Sequence, residues 1–194
     1  IVCGESSISL LRSYGFDSLT GENVSNSDAT KWSTCQIGSV MFLNHPDLHP
    51  MYWVDDQGDG TPSQIKPLPW HIGVDEDGNL STETWADKGY RCRILRAHKN
   101  FLFALATYEG DEEYPDKVFW SAPAEPNGIP FSWRPTIEQP DSIAGSVSLG
   151  RGGAIVGGES LRDSFVIYSE KALSVMDYTG DSLGWRRRAV SETA

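Results

Sequence analysis

The chain has 194 residues, enough for one globular domain or a substantial part of a larger one. Its formal net charge of −11 argues against a protein whose main surface grips nucleic acid, because phosphate binding needs neutralising Lys and Arg. The longest apolar run falls far short of the roughly 20 residues that a membrane span requires. The sequence starts at Ile1 without an initiator Met, and we therefore expect a fragment of a longer protein.

The cysteines indicate neither a disulfide framework nor a metal site. Cys3, Cys35 and Cys92 are widely spaced, without a CxxC motif and without histidines at zinc-ligand spacing. An odd number of cysteines without a framework indicates reduced, packed thiols in a protein made in a cytoplasm. We predict no cofactor and no metal.

Strand signals dominate the chain and predict an all-β fold of antiparallel sheets with few or no helices. With 19 Gly, 11 Pro and 11% aromatic residues, the composition is typical of short strands joined by turns. Residues 86–97 are the one helical candidate, weakened by Gly89. Nearly continuous apolar strands indicate burial on both faces, as between packed sheets. The predicted hairpins, in chain order, are 39–43 with 51–54, 101–108 with 117–121 across an acidic loop, and 164–168 with 172–176.

An internal similarity adds to the strand pattern. Residues 2–11 align without a gap with residues 167–176, so that the chain begins and ends with the same hairpin. The other hairpins lie between them at a spacing of about sixty residues, and repetition of an antiparallel unit on this scale is typical of propeller blades. One four-stranded blade cannot bury both faces by itself. We therefore expect residues 1–194 to form a single region of a partial or complete β-propeller, with a two-sheet sandwich as the alternative.

The acidic clusters do not predict an active site. Residues 111–113 are three acids at a loop tip, whereas the acids of a glycosidase lie on separate elements that flank a sugar. The run 55–60 fails as a calcium-binding loop. With Asp55 as loop position one, position twelve is Lys66, where a bidentate acid is needed. Residues 75–79 predict a turn, with a weak cation site as the less favoured interpretation. The three arginines at 186–188 indicate a solvated strand end rather than a specific anion site.

The histidines and glycines also lack a catalytic pattern. His45 and His49 are four residues apart, but Pro46 and Pro50 exclude a shared helix face and hence an HExxH zinc site. His45, His49, His71 and His98 are therefore predicted to be exposed or packing residues. The glycines at 150, 152, 153, 157 and 158 indicate turns with positive φ rather than a phosphate cradle, since neither Lys-Ser/Thr nor a helix follows. With no GxSxG elbow either, we predict that the protein is not an enzyme.

Tryptophans offer an alternative function. Exposed in a row, they would form a platform for sugar rings, as in a carbohydrate-binding or glycan-processing β domain. Trp53 and Trp120 follow other apolar residues and are predicted to pack between blades. Trp70, flanked by Pro67 and Pro69, is the better candidate for exposure. The candidate platform residues are Trp53, Trp70, Trp85, Trp120, Trp133 and Trp185.

Several segments match a known pattern from about residue 38 onward. They are 40–44 with 50–53, 93–105, 114–121 with 130–133, 144–145, 155–158, 161–168, and 178–180 with 185–186. In order and spacing these segments resemble the tail nozzle (tail tubular) protein of short-tailed phages.

This resemblance implies a structural, non-enzymatic protein of the virion tail that is assembled in the host cytoplasm. The family forms a homohexameric ring below the head-to-tail adaptor, lines the DNA exit channel used in genome ejection, and helps to anchor tail fibres. DNA would pass without sequence-specific binding, and an acidic wall that repels phosphate suits such a conduit. A stand-alone domain cut from a larger scaffold is the remaining alternative.

Overall fold

Strands make up almost all of the regular structure in this computed structural model, which describes residues 1–13, 15–19, 24–55, 63–75, 77–126, 128–134, 143–150, 152–180 and 184–192. One 3₁₀ helix, Ala29–Lys31, is capped by the carboxylate of Asp28. The strands of these ranges are β1 Val2–Cys3, β2 Ile8–Arg12, β3 Gly15–Ser18, β4 Ser33–Ile37, β5 Val40–Asn44, β6 Met51–Val54, β7 Lys66–Pro67, β8 Pro69–Val74, β9 Leu80–Thr84, β10 Tyr90–His98, β11 Phe101–Glu109, β12 Glu112–Trp120, β13 Gly145–Ser148, β14 Ile155–Leu161, β15 Ser164–Ser169, β16 Ala172–Tyr178 and β17 Trp185–Glu192.

The strands form meanders in which the spatial order follows the chain order. The first sheet is β1-β2-β3, the second β4-β5-β6-β7, the third β10-β11-β12-β13 and the fourth β14-β15-β16-β17. Strands β8 and β9 form a separate hairpin between the second and third sheets. Neighbouring strands are antiparallel throughout. The predicted all-β, antiparallel class is confirmed.

Successive sheets share apolar cores because alternate residues of a strand point to opposite faces. On β5, Val40 and Phe42 belong to a core shared with the third sheet, whereas Leu43 belongs to a core shared with the first. On β11, Leu102 and Ala104 face the second sheet, and Phe103 and its alternate neighbours face the fourth. The second and third sheets are thus buried on both faces, as the sequence predicts.

In the third and fourth sheets, the first strand lies nearest to the preceding sheet. β10 approaches β4 and β5 of the second sheet, and β14 approaches β10, β11 and β12 of the third. Gly158 on β14 explains one of these approaches, because a Cβ there would lie 2.6 Å from Cδ1 of Leu105 and 2.9 Å from the ring of Phe165. Any side chain at this position would force the buried side chains of Leu105 and Phe165 to move, so glycine favours this close contact between strands of different sheets.

The two similar hairpins have the same register. In the first sheet, Val2 pairs with Ser9 and Cys3 with Ile8. In the fourth, the aligned residues pair in the same way, Ile167 with Ser174 and Tyr168 with Leu173. The ungapped alignment therefore matches each cross-strand pair of the first hairpin with a cross-strand pair of the second. The following turns differ, since the β2–β3 ladder closes at Arg12 and Gly15, whereas β16–β17 closes at Tyr178 and Trp185.

Two local predictions are wrong. Residues 86–97 form a turn and most of β10 rather than a helix, because β10 pairs along its length with the apolar strand β11. The acidic loop predicted after residue 108 is a tight turn around Gly110, whose φ is +64°, and Glu112 and Glu113 already belong to β12. β11 also carries a bulge between Leu105 and Thr107, where Ala106 has a φ of +53° and a buried side chain.

Helices play almost no part in the described ranges, as predicted. None of the helices described is both long and apolar enough to cross a membrane.

The shared cores predict how stability responds to truncation of a buried ring. Phe103 is fully buried and stacks on Phe165 of the neighbouring sheet, with ring centroids 4.3 Å apart. We expect Phe103→Ala to lower the free energy of unfolding by about 3–5 kcal/mol. Phe16→Ala, at a ring that is 65% exposed, is the matched control, with an expected change within about 0.5 kcal/mol. Urea unfolding followed by tryptophan fluorescence measures both, and equal losses would contradict the packing described.

Candidate assembly interface

A buried histidine joins the third and fourth sheets. His98, at the end of β10, has its Nδ1 2.9 Å from Oγ of Ser160 and its Nε2 3.3 Å from the carbonyl oxygen of Asp163. Because a carbonyl only accepts, Nε2 carries the proton and donates to Asp163. The rings of Phe103, Phe165 and Trp185 lie around the imidazole, with centroids 6.4, 5.8 and 5.4 Å away. This apolar setting lowers the pKa of His98 by burial.

Two ion pairs lie at the edge of the same junction. Nζ of Lys99 is 3.2 Å from a carboxylate oxygen of Asp163, and Nε of Arg96 is 4.0 Å from one of Glu159. The side chains of both acids are largely exposed, at 95% and 69%, so the pairs add little stability. Each pair nevertheless brings a cation of the third sheet close to an acid of the fourth, which favours one relative position of the two sheets.

A buried amide joins the second and third sheets. Nδ2 of Asn44, at the end of β5, donates to the carbonyl oxygens of Cys92 and Arg93 on β10, at 3.2 and 3.3 Å. The thiol of Cys92 donates back to Oδ1 of Asn44 at 3.2 Å. Because buried polar groups are costly unless they are paired, these bonds specify how the two sheets meet.

The cysteines are free thiols in this structure, with Cys92 buried and Cys3 and Cys35 half-buried. Burial raises the pKa of Cys35 to about 12 and raises the pKa of Cys92 as well. Thiols with such pKa values stay protonated at neutral pH and are poor nucleophiles. Their environment is that of packing residues, as predicted.

The sugar platform of exposed tryptophans, considered as an alternative, is not formed. Trp70, the candidate for exposure, is only 5% exposed because the base of the β8–β9 hairpin covers the core between the second and third sheets. Its ring meets that of Trp85 edge to face at 5.2 Å, and Trp85 meets Trp133 at 5.0 Å. The same burial, below 10% exposure, holds for all six candidates: Trp53, Trp70, Trp85, Trp120, Trp133 and Trp185.

Most of the acidic candidates have structural partners. Glu113 pairs with Arg93, Glu109 pairs with Lys117, and the hydroxyl of Tyr114 donates to Glu112. In the predicted 75–79 turn, Oδ1 of Asp75 accepts the backbone N–H groups of Asp77 and Asn79 at 3.0 and 2.8 Å, which closes the turn.

No group of three or more His, Cys, Asp or Glu side chains lies close enough to hold a metal within the described part of the chain. The candidate loop at 55–60 is described only at Asp55, and its remaining residues lie outside the described ranges, as does Glu76.

The histidines have packing roles where their contacts are known. His45 is buried, with its Nε2 2.9 Å from the carbonyl oxygen of Asp28 and its ring 5.2 Å from that of Trp32. Nδ1 of His71 lies 3.2 Å from Oγ of Ser132. Half-buried His49 contributes to an open pocket of about 470 Å³ at the loops of the second and third sheets.

The glycine and arginine candidates support turns and strand pairing. Gly150 and Gly153 have φ values of +76° and +75°, as predicted for turns, while Arg151 lies outside the described residues. The prediction of a positive φ is wrong for Gly152, Gly157 and Gly158, and the last two lie within β14, where Gly158 allows close packing against Leu105. The three arginines at 186–188 follow Trp185, the first residue of β17. There Nε of Arg188 is 3.3 Å from a carboxylate oxygen of Asp177, and Nε of Arg187 is 3.3 Å from Oγ of Ser174.

The two end sheets each present an outer face, meaning the face turned away from the rest of the stack. On the first sheet, the cross-strand neighbours Leu11 and Phe16 are 59% and 65% exposed. The outer face of the fourth sheet has exposed Leu161 and Tyr168, and an open pocket of about 550 Å³. The alternation of residues along a strand does not predict these outer faces from the sequence, because it does not reveal which sheets lie at the ends of the stack.

A scan against protein-family models and a search of the curated proteins give no match for this chain.

Burial of His98 predicts a pH-dependent stability. Its pKa is lowered in the folded protein, so the unfolded chain binds more protons once the pH falls below about 6.5. Stability is therefore expected to decrease as the pH falls from about 6.5 towards the folded pKa. His98→Gln should flatten this slope, measured by urea unfolding at several pH values between 5 and 7.5.

Two comparisons make this measurement specific. The pKa of His71 is also lowered, first by burial, so His71→Gln reports how much of the slope belongs to the second histidine. Asp47 and Asp177 have pKa values lowered mainly by hydrogen bonds from Ser27 and Ser164, and they titrate below the chosen range. An unchanged slope in His98→Gln would show that His98 does not set it.

Proposed function

We propose that this chain is a structural, non-enzymatic part of a short-tailed phage tail, and that its sheets are blades of a β-propeller in the nozzle ring. One observation carries the proposal. Successive meander sheets share apolar cores on both faces, and in the third and fourth sheets the first strand lies nearest to the preceding sheet. Radially repeated four-stranded meanders stacked in this way are the architecture of propeller blades.

The segment resemblance points to the same role, because its parts fall on the elements that make the stack. Residues 40–44 and 50–53 cover the β5–β6 hairpin, residues 93–105 cover most of β10 and the start of β11, and residues 161–168 cover the turn into β15. These are the strands that supply the shared cores. Strands that are used for contacts between sheets favour a structural role in the ring over a catalytic cleft.

The charge balance suits a conduit for DNA. With a net charge of −11, the surface repels phosphate rather than holding it, so DNA would pass without sequence-specific binding. The partners under this proposal are further copies in a homohexameric ring, the head-to-tail adaptor and the tail fibres. The place of action is the virion tail, after assembly in the host cytoplasm.

A glycan-binding role is the second candidate, and it depends on a different feature. The open pocket of about 470 Å³ lies where the β5–β6, β9–β10 and β11–β12 turns meet, and its lining includes Asp47, Tyr90 and Asp111. Carboxylates and an aromatic ring are groups that bind sugars. The ring of Tyr90, however, packs edge to face on Trp70 at 5.1 Å, which limits its use as a stacking surface.

Labelling of intact particles tests the proposal. We expect gold-conjugated antibodies raised against this chain to label the tail tip of the phage that encodes it, and not the capsid. Particles imaged by negative-stain electron microscopy, with pre-immune serum as the control, provide the measurement. A chain that is absent from purified particles, or that hydrolyses glycans as a monomer, would reject the proposal.

A further inference from the structure

The β8–β9 hairpin ends in an exposed apolar pair. Val74 and Leu80 are cross-strand neighbours at its tip, and they are 70% and 83% exposed. These are the two highest exposures among the large apolar side chains of the described residues. Adjacent apolar side chains held in solvent are costly, and they often mark a surface that contacts another protein.

The base of this hairpin is fixed in place. The backbone N–H of Ile72 donates to the carbonyl oxygen of Phe131 at 2.7 Å, and that of Trp133 donates to Trp70 at 2.9 Å. The rings of Trp70, Trp85 and Trp133 pack together beneath it. Because the base is already ordered, binding through the tip would lose little conformational entropy.

The tip also carries negative charge. Asp75 uses its carboxylate to close the turn, whereas Asp77 is exposed beside the apolar pair. A partner surface for this tip therefore needs an apolar floor with a cation at its edge.

The outer face of the fourth sheet offers such a surface. Its open pocket of about 550 Å³ has the cross-strand pair Val166 and Val175 as a floor and Leu161 at one side. Arg162 and Arg188 line the pocket, and the one acid of the lining, Asp163, pairs with Lys99 of the third sheet. Arg188 pairs in turn with Asp177, so Arg162 is the cation of the lining that this proposal assigns to an acidic partner.

We propose that the β8–β9 tip of one copy inserts into this pocket of a second copy. Leu80 and Val74 would pack against the exposed side chain of Leu161, above the buried pair Val166 and Val175, with Asp77 beside Arg162. The two surfaces differ, so the contact is heterologous, and repetition of it builds a ring where the rotation closes and a filament where it does not. A second copy is the partner we assign, because the exposed apolar side chains Leu80 and Leu161 and the opposite charges of Asp77 and Arg162 all belong to this chain.

Sedimentation equilibrium of the 194-residue chain tests the contact. We expect Leu80→Glu in the tip and Leu161→Glu in the pocket each to weaken association at least tenfold. Both side chains are exposed, so the fold should be unaffected. Leu11→Glu on the first sheet, at a similarly exposed leucine, is the matched control and should associate like the parent chain.

Charge reversal gives a sharper test. Asp77→Arg and Arg162→Asp should each weaken association, and the double variant should restore it, because the pair is re-formed with exchanged signs. Aspartate suits position 162, where φ is +55°.

Three results would overturn the proposal. They are a parent chain that stays monomeric at millimolar concentration, a double variant that is no tighter than the singles, and dissociation by Leu11→Glu but not by Leu80→Glu. The last result would instead indicate that end sheets of two copies stack face to face. The contact goes beyond the tail proposal and fails separately from it. If antibodies label the tails but the chain sediments as a monomer, only the proposed contact is rejected. If the chain associates but is absent from purified particles, only the tail role is rejected.

Discussion

The structure depends on one constraint: sheets that are apolar on both faces need a neighbour on each side. β11 shows this most directly, since every residue from Phe101 to Thr107 is buried and alternate side chains enter different cores. Such a strand cannot be stable in an isolated sheet, because one of its faces would then meet water. Stacking is therefore a condition of folding for the middle sheets rather than a later elaboration.

Apolar burial alone does not determine how the sheets are oriented, and a few polar and small residues do so. Asn44 bonds the second sheet to the backbone of the third, and His98 bonds the third to the turn that follows β14. Gly158 removes the side chain that would hold β14 away from Leu105. Each of these residues lies between sheets, where hydrogen bonds and steric limits are directional and hydrophobic contact is not.

Residue patterns within single strands predicted much of this fold, and contacts between distant segments account for what they missed. The apolar run of β11 indicated burial on both faces, and the alignment of the end hairpins matched their register, because both depend on neighbours in sequence. Trp70 was the better candidate for exposure because of its flanking prolines, whereas Trp85, Tyr90 and Phe119, whose rings pack against it, come from other segments. The inter-sheet roles of Asn44 and His98 have no local signal for the same reason.

The meander order of the sheets has a consequence for how the chain reaches this structure. Each ladder joins strands that follow one another in sequence, mostly across short turns, so the loop-closure entropy of each pairing is small. Low sequence separation of contacts favours rapid formation. We expect the hairpins of each sheet to form soon after their strands have left the ribosome, whereas a middle sheet becomes stable only when it docks onto the preceding sheet. Synthesis from the N-terminus would then extend the stack one sheet at a time. The outer apolar face of the most recently docked sheet would stay exposed to solvent until the next sheet covers it.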